Sequence, residues 1–193
     1  MLVCGAGPAG IGAAIMAARL GVSVMIVEAQ GCLGGIATAG MMSHWGGRSS
    51  SKVMPEIWDL TYEKVKDIGW AHENGCGKDA IYHDVQKIVL EEMMQKENIR
   101  VLYHTLVCKA VTENGSIVGV IVENKSGRGF IKAKRVVDST GDGDVAASAG
   151  APYFKGRESD GKMQPATLMF KVGGVDYNRA AFLPSFESTY DTD

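Results

Sequence analysis

The most constraining feature of this chain is a glycine turn near its start. Gly5-Ala6-Gly7-Pro8-Ala9-Gly10 stands between a short apolar run, Met1 to Cys4, and a helical stretch with Ala14 and Ala18 one turn apart. Gly21 breaks that helix, and Val22 to Val27 predicts a second strand ending in Glu28. Strand, turn, helix and strand in this order form the unit that grips a dinucleotide, and each residue type has a physical task. Gly5 permits the tight turn out of the strand. Gly7 has no Cβ, so a pyrophosphate can approach the backbone beside Pro8 and Ala9. Gly10 lets the helix lie close to the sheet. The free N–H groups and the dipole at the helix start favour phosphate charge. Glu28 stands where a carboxylate accepts hydrogen bonds from ribose hydroxyls, and it would repel a 2′-phosphate, which disfavours NADP. If that is its whole role, replacing Glu28 weakens binding and spares the fold. A lone G-x-G-x-x-G is weak evidence. Here it follows a strand, opens a helix and precedes an acid by about 20 residues, which is the context the reading requires. The bland alternative is an ordinary βαβ turn with no ligand.

The chain has 193 residues, enough for one substantial domain and the start of a second. Its formal net charge of -2 and the lack of a basic cluster give no sign of a nucleic-acid partner. No run approaches the roughly 18 apolar residues that span a bilayer. The first residues lack a basic n-region and lead straight into the glycine turn, so they are not read as a signal peptide. The expected location is therefore the cytoplasm. Cys4, Cys32, Cys76 and Cys108 stand far apart, with no metal-like spacing. They read as buried or incidental thiols in a reducing compartment. His72, His83 and His104 are scattered, and no metal site is expected.

After Glu28 comes Ala29 and a long loop of small residues that contains Gly34, Gly35 and Thr38. Gly34 and Gly35 allow a second close approach of backbone to a ligand, and Thr38 offers a hydroxyl. An ordered loop of this length is usually functional; a flexible connection is the alternative. Val53 to Ile68 predicts a helix with Ile57, Leu60, Val65 and Ile68 near one face. Asp79 is the expected N-cap of the next helix, with Ile81, Val85, Ile88, Val89 and Met93 at its 3.6 period. Arg100 to Tyr103 predicts a strand. Val107 to Thr112, Ile117 to Glu123 and Gly129 to Lys134 predict an antiparallel meander joined by Asn-Gly and Ser-Gly turns. Arg135 to Asp138 then predicts a strand that runs into Ser139-Thr-Gly-Asp-Gly-Asp and a short helix, Val145 to Gly150. Asp142 and Asp144 are expected to cap that helix. Thr167 to Val172 is strand-like.

Three separated stretches resemble one family, the FAD-dependent oxidoreductases distantly related to the flavoprotein subunits of fumarate reductase and succinate dehydrogenase. They are Gly5 to Glu28, Cys32-Leu-Gly-Gly-Ile-Ala-Thr-Ala-Gly, and Val137-Asp-Ser-Thr-Gly-Asp-Gly-Asp-Val-Ala. The stretch Gly156-Arg-Glu-Ser-Asp-Gly-Lys-Met-Gln-Pro-Ala-Thr-Leu-Met-Phe resembles the opening of that group's substrate domain. The resemblance implies an α/β fold: a Rossmann-like FAD-binding domain with a parallel sheet over residues 1–150, an inserted β-meander at 105–134, and the start of a substrate or cap domain at 151–193. It implies FAD as cofactor. Gly5, Gly7, Pro8, Ala9 and Gly10 would surround the pyrophosphate, with Glu28 and Ala29 beside the adenosine ribose. Gly34, Gly35 and Thr38 would line the phosphates and ribityl chain. Val107 resembles the position whose backbone meets the adenine, with Thr140, Gly141 and Asp142 on the adenosine side. The family has more residues before the first strand and a late segment that closes over the flavin, so the resemblance implies a partial chain with a half-built FAD site.

The flavin would carry the hydride or electron transfer, with the protein supplying orientation and exclusion of water. Candidates above its ring are His44, Arg157 and the stretch Asp160 to Gln164. His44 is either a proton donor or a loop histidine with a structural hydrogen bond. Arg157 either binds a substrate carboxylate or is a solvated loop arginine. The small-molecule substrate and the electron acceptor are not legible, and an oligomer is compatible with the sequence. The expectation is a flavin-linked oxidoreductase. The alternatives are an NAD-binding oxidoreductase, in which the Gly34-Gly35 loop has no task, and a non-catalytic FAD-binding module.

Overall fold

The computed structural model describes residues 1–42, 52–68, 81–176 and 178–179. In chain order the elements are β1 (Leu2–Cys4), α1 (Pro8–Arg19), β2 (Met25–Val27), a 3-10 turn at Gly35–Ala37, α2 (Val53–Asp67) and α3 (His83–Lys96). They continue with β3 (Arg100–Leu102), β4 (Leu106–Glu113), β5 (Ser116–Asn124), β6 (Gly127–Lys132), β7 (Val136–Asp138) and α4 (Asp144–Ser148). Four strands form a parallel sheet in the order β3-β2-β1-β7, and β4-β5-β6 form a separate antiparallel sheet.

Alternation along the central strands explains the layering. Val3 and Ile26 point to one face, where they join Ile11 and Ile15 of α1, Val53 and Ile57 of α2, and Val89 and Met93 of α3. Leu2, Cys4 and Val27 point to the other, against Ala110 of β4, Val120 and Val122 of β5, and Val145 of α4. A strand buried on both faces needs apolar side chains at every position, which is why Met1 to Cys4 reads as an unbroken run. Each fully buried Leu, Ile or Val contributes about 1.5–3 kcal/mol.

Helix α1 begins with Pro8, whose fixed φ suits a first helical position. It ends in a Schellman motif: Gly21 N–H donates to Ala18 O at 2.9 Å and Val22 N–H to Ala17 O at 3.0 Å. The expected second strand, Val22 to Val27, is shorter in the structure because the β2 ladder pairs only Met25, Ile26 and Val27 with β1 and β3. The helical faces also shift. In α2 the buried stripe is Val53, Ile57, Thr61 and Val65, while Leu60 and Ile68 are exposed. In α3 it is Val85, Val89, Leu90, Met93 and Met94, and Ile88 lies on the opposite side of the helix. The N-cap of α3 is Tyr82, and the expected cap at Asp79 falls outside the described residues. Arg19 ties the layer together, forking onto Glu56 of α2 at 2.6 and 2.8 Å and reaching Glu97 after α3 at 2.8 Å. The hydrogen bond from Arg19 holds Glu56 below the usual carboxylate range.

The meander is as expected in type, and its first hairpin turns through Asn114 and Gly115, both at positive φ, as a two-residue I′ turn requires. The strand-like Thr167 to Val172 is not a strand. Residues 151–176 carry no helix or strand, and Leu168, Phe170 and Val172 are exposed. Extended backbone becomes a strand only when a neighbour completes its ladder, and no described strand lies alongside.

Two glycines of α1 give opposite expectations. A Cβ on Gly10 would lie 2.1 Å from Gly5 O, whereas one on Gly12 would meet nothing within 4 Å. Gly10→Ala should destabilise the protein by about 1–3 kcal/mol, and Gly12→Ala should stabilise it by up to about 1 kcal/mol. Urea midpoints of the two variants check this.

Candidate functional site

The carboxyl ends of β1, β2 and β7 converge, and the turns that follow them form the site. Gly5, at φ +94°, donates its N–H to Val27 O at 2.8 Å and so ties the first turn to β2. A Cβ there would lie 2.3 Å from Ser139 O. Ser139 Oγ donates toward Cys4 O at 2.9 Å and Gly5 O at 2.8 Å, which closes the junction between β1 and β7.

Glu28 is the hub of this junction. It is buried, and both carboxylate oxygens accept from backbone: Oε2 from Ala6 N–H at 2.6 Å and Oε1 from Gln30 N–H at 2.7 Å. Its own N–H donates to Leu102 O, and its carbonyl accepts from Thr105 N–H at 3.0 Å. The expectation that its replacement spares the fold is therefore corrected. The acid holds the glycine turn in place from below.

The Gly34-Gly35 loop packs directly on that turn. Gly34 N–H donates to Ala6 O at 2.8 Å, and a Cβ on Gly35 would lie 2.8 Å from Gly7 Cα. Thr38 is wholly buried, and its hydroxyl donates to Leu33 O. That hydroxyl is directed into the loop rather than toward a ligand. Gly7 differs from its neighbours. Its backbone is extended, at φ -69° and ψ 180°, and nothing lies within 4 Å of where a Cβ would stand. Protein packing explains glycine at 5, 10, 34 and 35, and it does not explain glycine at 7.

At the third strand end, Asp138 organises the turn into α4. Its Oδ1 accepts from Thr140 N–H and Thr140 Oγ1, and its Oδ2 from Ala146 N–H at 2.7 Å. Burial pushes this carboxyl up, but the donors from Ala146 and Thr140 outweigh it and leave it below the usual range. Asp138, not Asp142 or Asp144, satisfies the N-terminus of α4, whose N-cap residue is Gly143. The signal was in the sequence: Asp followed two residues later by Thr is an Asx-turn pattern. Thr140 Oγ1 also accepts from Asp144 N–H at 3.0 Å.

Between the three strand ends lies a cleft of about 110 Å³ lined by Gly5, Val27, Glu28, Ala29, Thr105, Leu106, Val107, Thr140 and Asp144. Five sequence-derived candidates, Gly5, Glu28, Ala29, Val107 and Thr140, meet there. Pro8, Ala9 and Gly10 form the first turn of α1 beside it. Gly141 and Asp142 are exposed, and Asp142 lines a neighbouring groove with Tyr153 and Phe154 instead. Thr105, Leu106 and Asp144 line the cleft without having been singled out as its residues, because only folding brings the start of β4 and α4 to the end of β1.

The catalytic candidates lie apart. Arg157 is exposed and forks onto Asp160 at 2.5 and 2.6 Å, in a separate groove with Lys162, Met163 and Gln164. His44 lies outside the described residues. Among the described residues, no group of three or more His, Cys, Asp or Glu could hold a metal ion. Burial first, and then the Asp138 charge, push the Cys4 thiol up to about 12, which makes it unreactive. Among those residues no helix is long and apolar enough to cross a membrane.

A parallel sheet with a glycine turn at the carboxyl end of its first strand, and a cleft over the strand ends, defines a dinucleotide-binding α/β protein. The chain belongs to the FAD-dependent oxidoreductases, whose family model matches residues 1–192, and its cofactor is FAD. No curated protein matches it. Solved structures share its fold. THI4 from Thermovibrio ammonificans is 20% identical, with a TM-score of 0.51 over 76% of this chain and 59% of that one. A geranylgeranyl bacteriochlorophyll reductase-like protein from Thermoplasma acidophilum is 17% identical, with a TM-score of 0.51 over 77% and 41%. L-proline dehydrogenase from P. horikoshii is 15% identical, with a TM-score of 0.53 over 77% and 55%. The chain thus spans about half the length of the structures it matches.

Two expectations follow. Glu28→Ala should destabilise the cofactor-free protein by about 1–3 kcal/mol, because it strands the Ala6 N–H, with thermal denaturation as the readout. Asp138 has a folded pKa below its unfolded value, so its stabilisation is complete at neutral pH and is lost as pH falls through the acid range. Asp138→Asn should therefore be less stable than the parent at pH 7, with the gap closing below about pH 4 in paired melts.

Proposed function

We propose that this chain forms the FAD-holding part of an oxidoreductase acting on a small molecule. In this reading residues 1–150 are the cofactor domain and residues 151–193 begin the substrate domain. The observation that carries the reading is the cleft: Gly5, Glu28, Ala29, Val107 and Thr140 come from four separate stretches and line one space over the strand ends. It takes the adenosine of FAD. The open backbone at Gly7 and the uncapped start of α1 hold the pyrophosphate, where N–H groups and the helix dipole favour its charge. Gly34 and Gly35 carry the chain past the phosphates, with Thr38 bracing the loop from inside.

The bound flavin supplies the transfer of a hydride or of electrons. This chain's residues hold the nucleotide end, fix its direction across the sheet and keep water from the adenosine. Family membership favours this reading over an NAD-binding enzyme.

Titration of the cofactor-free protein with FAD, followed by flavin fluorescence and calorimetry, tests it. FAD should bind one to one, and ADP should compete, because the cleft faces the adenosine end. Gly7→Val should abolish binding of both while the melting temperature stays near that of the parent, since its side chain enters open space. A Gly7→Val protein that binds FAD normally would remove the pyrophosphate from this turn.

A further inference from the structure

One of the scattered histidines reaches back 41 residues to the cofactor side of the fold. His83 lies in the first turn of α3, a helix anchored in the larger core through Val89, Leu90, Met93 and Met94. Its Nε2 is 2.9 Å from Met42 O. A carbonyl oxygen only accepts, so Nε2 carries a proton and donates. Met42 closes the loop that starts at the Gly34-Gly35 pair. Its N–H donates to Ile36 O at 3.0 Å, and Gly40 N–H donates to Gly35 O at 3.0 Å. A Cβ on Gly40 would lie 2.7 Å from Ile36 Cα, so the loop is folded tightly on itself. Gly34 N–H on Ala6 O fixes its near end, and His83 fixes its far end. Met41, just before the gripped carbonyl, has φ +56°, a conformation that a non-glycine residue keeps only where its surroundings hold it.

We propose that His83 is a positioning residue for the diphosphate of FAD, which it serves by holding the Gly35 backbone against Gly7. This rests on the reading of the Gly7 turn as the seat of the pyrophosphate. The path is short. His83 holds Met42 O, Met42 N–H holds Ile36 O, and one peptide bond leads from Ile36 to Gly35. Gly35 in turn lies so close to Gly7 that a Cβ on it would stand 2.8 Å from Gly7 Cα. With both ends of the loop clamped, a diphosphate meets backbone that is already in place and does not have to order it on binding. His83 is not among the residues that line the adenosine cleft, so its effect falls on the phosphates and not on the nucleoside.

Calorimetric titration of the cofactor-free chain with FAD and ADP, and with adenosine by displacement of ADP, tests the assignment beside melts of the same samples. The parent should bind ADP more tightly than adenosine. His83→Phe keeps a ring but has no N–H to donate. It should bind FAD and ADP about threefold to tenfold more weakly, the effect of one neutral hydrogen bond, and bind adenosine as the parent does. His83→Gln, whose amide N–H reaches about as far as Nε2, should recover most of the loss. A merely structural histidine would lower the melting temperature and leave the ratio of ADP to adenosine affinity unchanged. That unchanged ratio in His83→Phe, or a His83→Gln protein no better than His83→Phe, overturns the role of His83 and leaves the FAD reading intact. A parent that binds neither FAD nor ADP overturns the FAD reading, and the role of His83 with it.

Discussion

The site depends on a short hydrogen bond between a side chain and a backbone group far away in sequence. Glu28 accepts the N–H of Ala6 at 2.6 Å inside the protein, next to the end of β1. In a buried place an unpaired N–H is costly, and a charge-assisted bond is among the stronger ways to satisfy it. The bond fixes the glycine turn relative to β2. The segments around the turn then pack against it, the Gly34-Gly35 loop on Gly7 and Ser139 on Gly5.

The glycines of this site divide by cause. Gly5, Gly10, Gly34 and Gly35 are places where one segment of backbone or side chain lies so close to another that a Cβ would collide. Gly7 has no such neighbour and no unusual φ. Packing therefore does not require glycine at position 7, as it does at the other four. The distinction matters for reading glycine motifs in general. A motif that resembles a ligand site can be largely a packing device.

The two sides of the sheet have different tasks. The helical side carries the larger core, through α1, α2 and α3, and its rim is tied by Arg19. The meander side brings β4 and α4 up to the strand ends, where Thr105, Leu106, Val107 and Asp144 become walls of the cleft. Ser148 Oγ accepts from Ala110 N–H at 2.9 Å and locks α4 onto β4. The cleft thus inherits its shape from the rigid packing of these elements.

Much of this architecture is legible in the residues alone. Met1 to Cys4, the glycine turn, the Gly21 stop and Glu28 specify a βαβ unit because each local choice agrees with the next, and Asn114-Gly115 specifies a hairpin because few other pairs tolerate two positive φ angles. The cofactor class was legible only as a family resemblance, carried by Gly5 to Glu28, Cys32 to Gly40 and Val137 to Ala146 together. Tertiary structure alone decided the rest. The length of β2 is set by its partners, and Thr167 to Val172 is not a strand because no described strand lies alongside it. Ile88 turns outward because the α3 stripe is chosen by what packs on it. How the acids of the cleft are engaged depends on which donors reach them. Sequence places Glu28 at a strand end, but only the folded chain brings the Ala6 and Gln30 N–H groups to its oxygens. Hydrogen bonds are short-range and directional, so partners distant in sequence are fixed by packing and not by spacing.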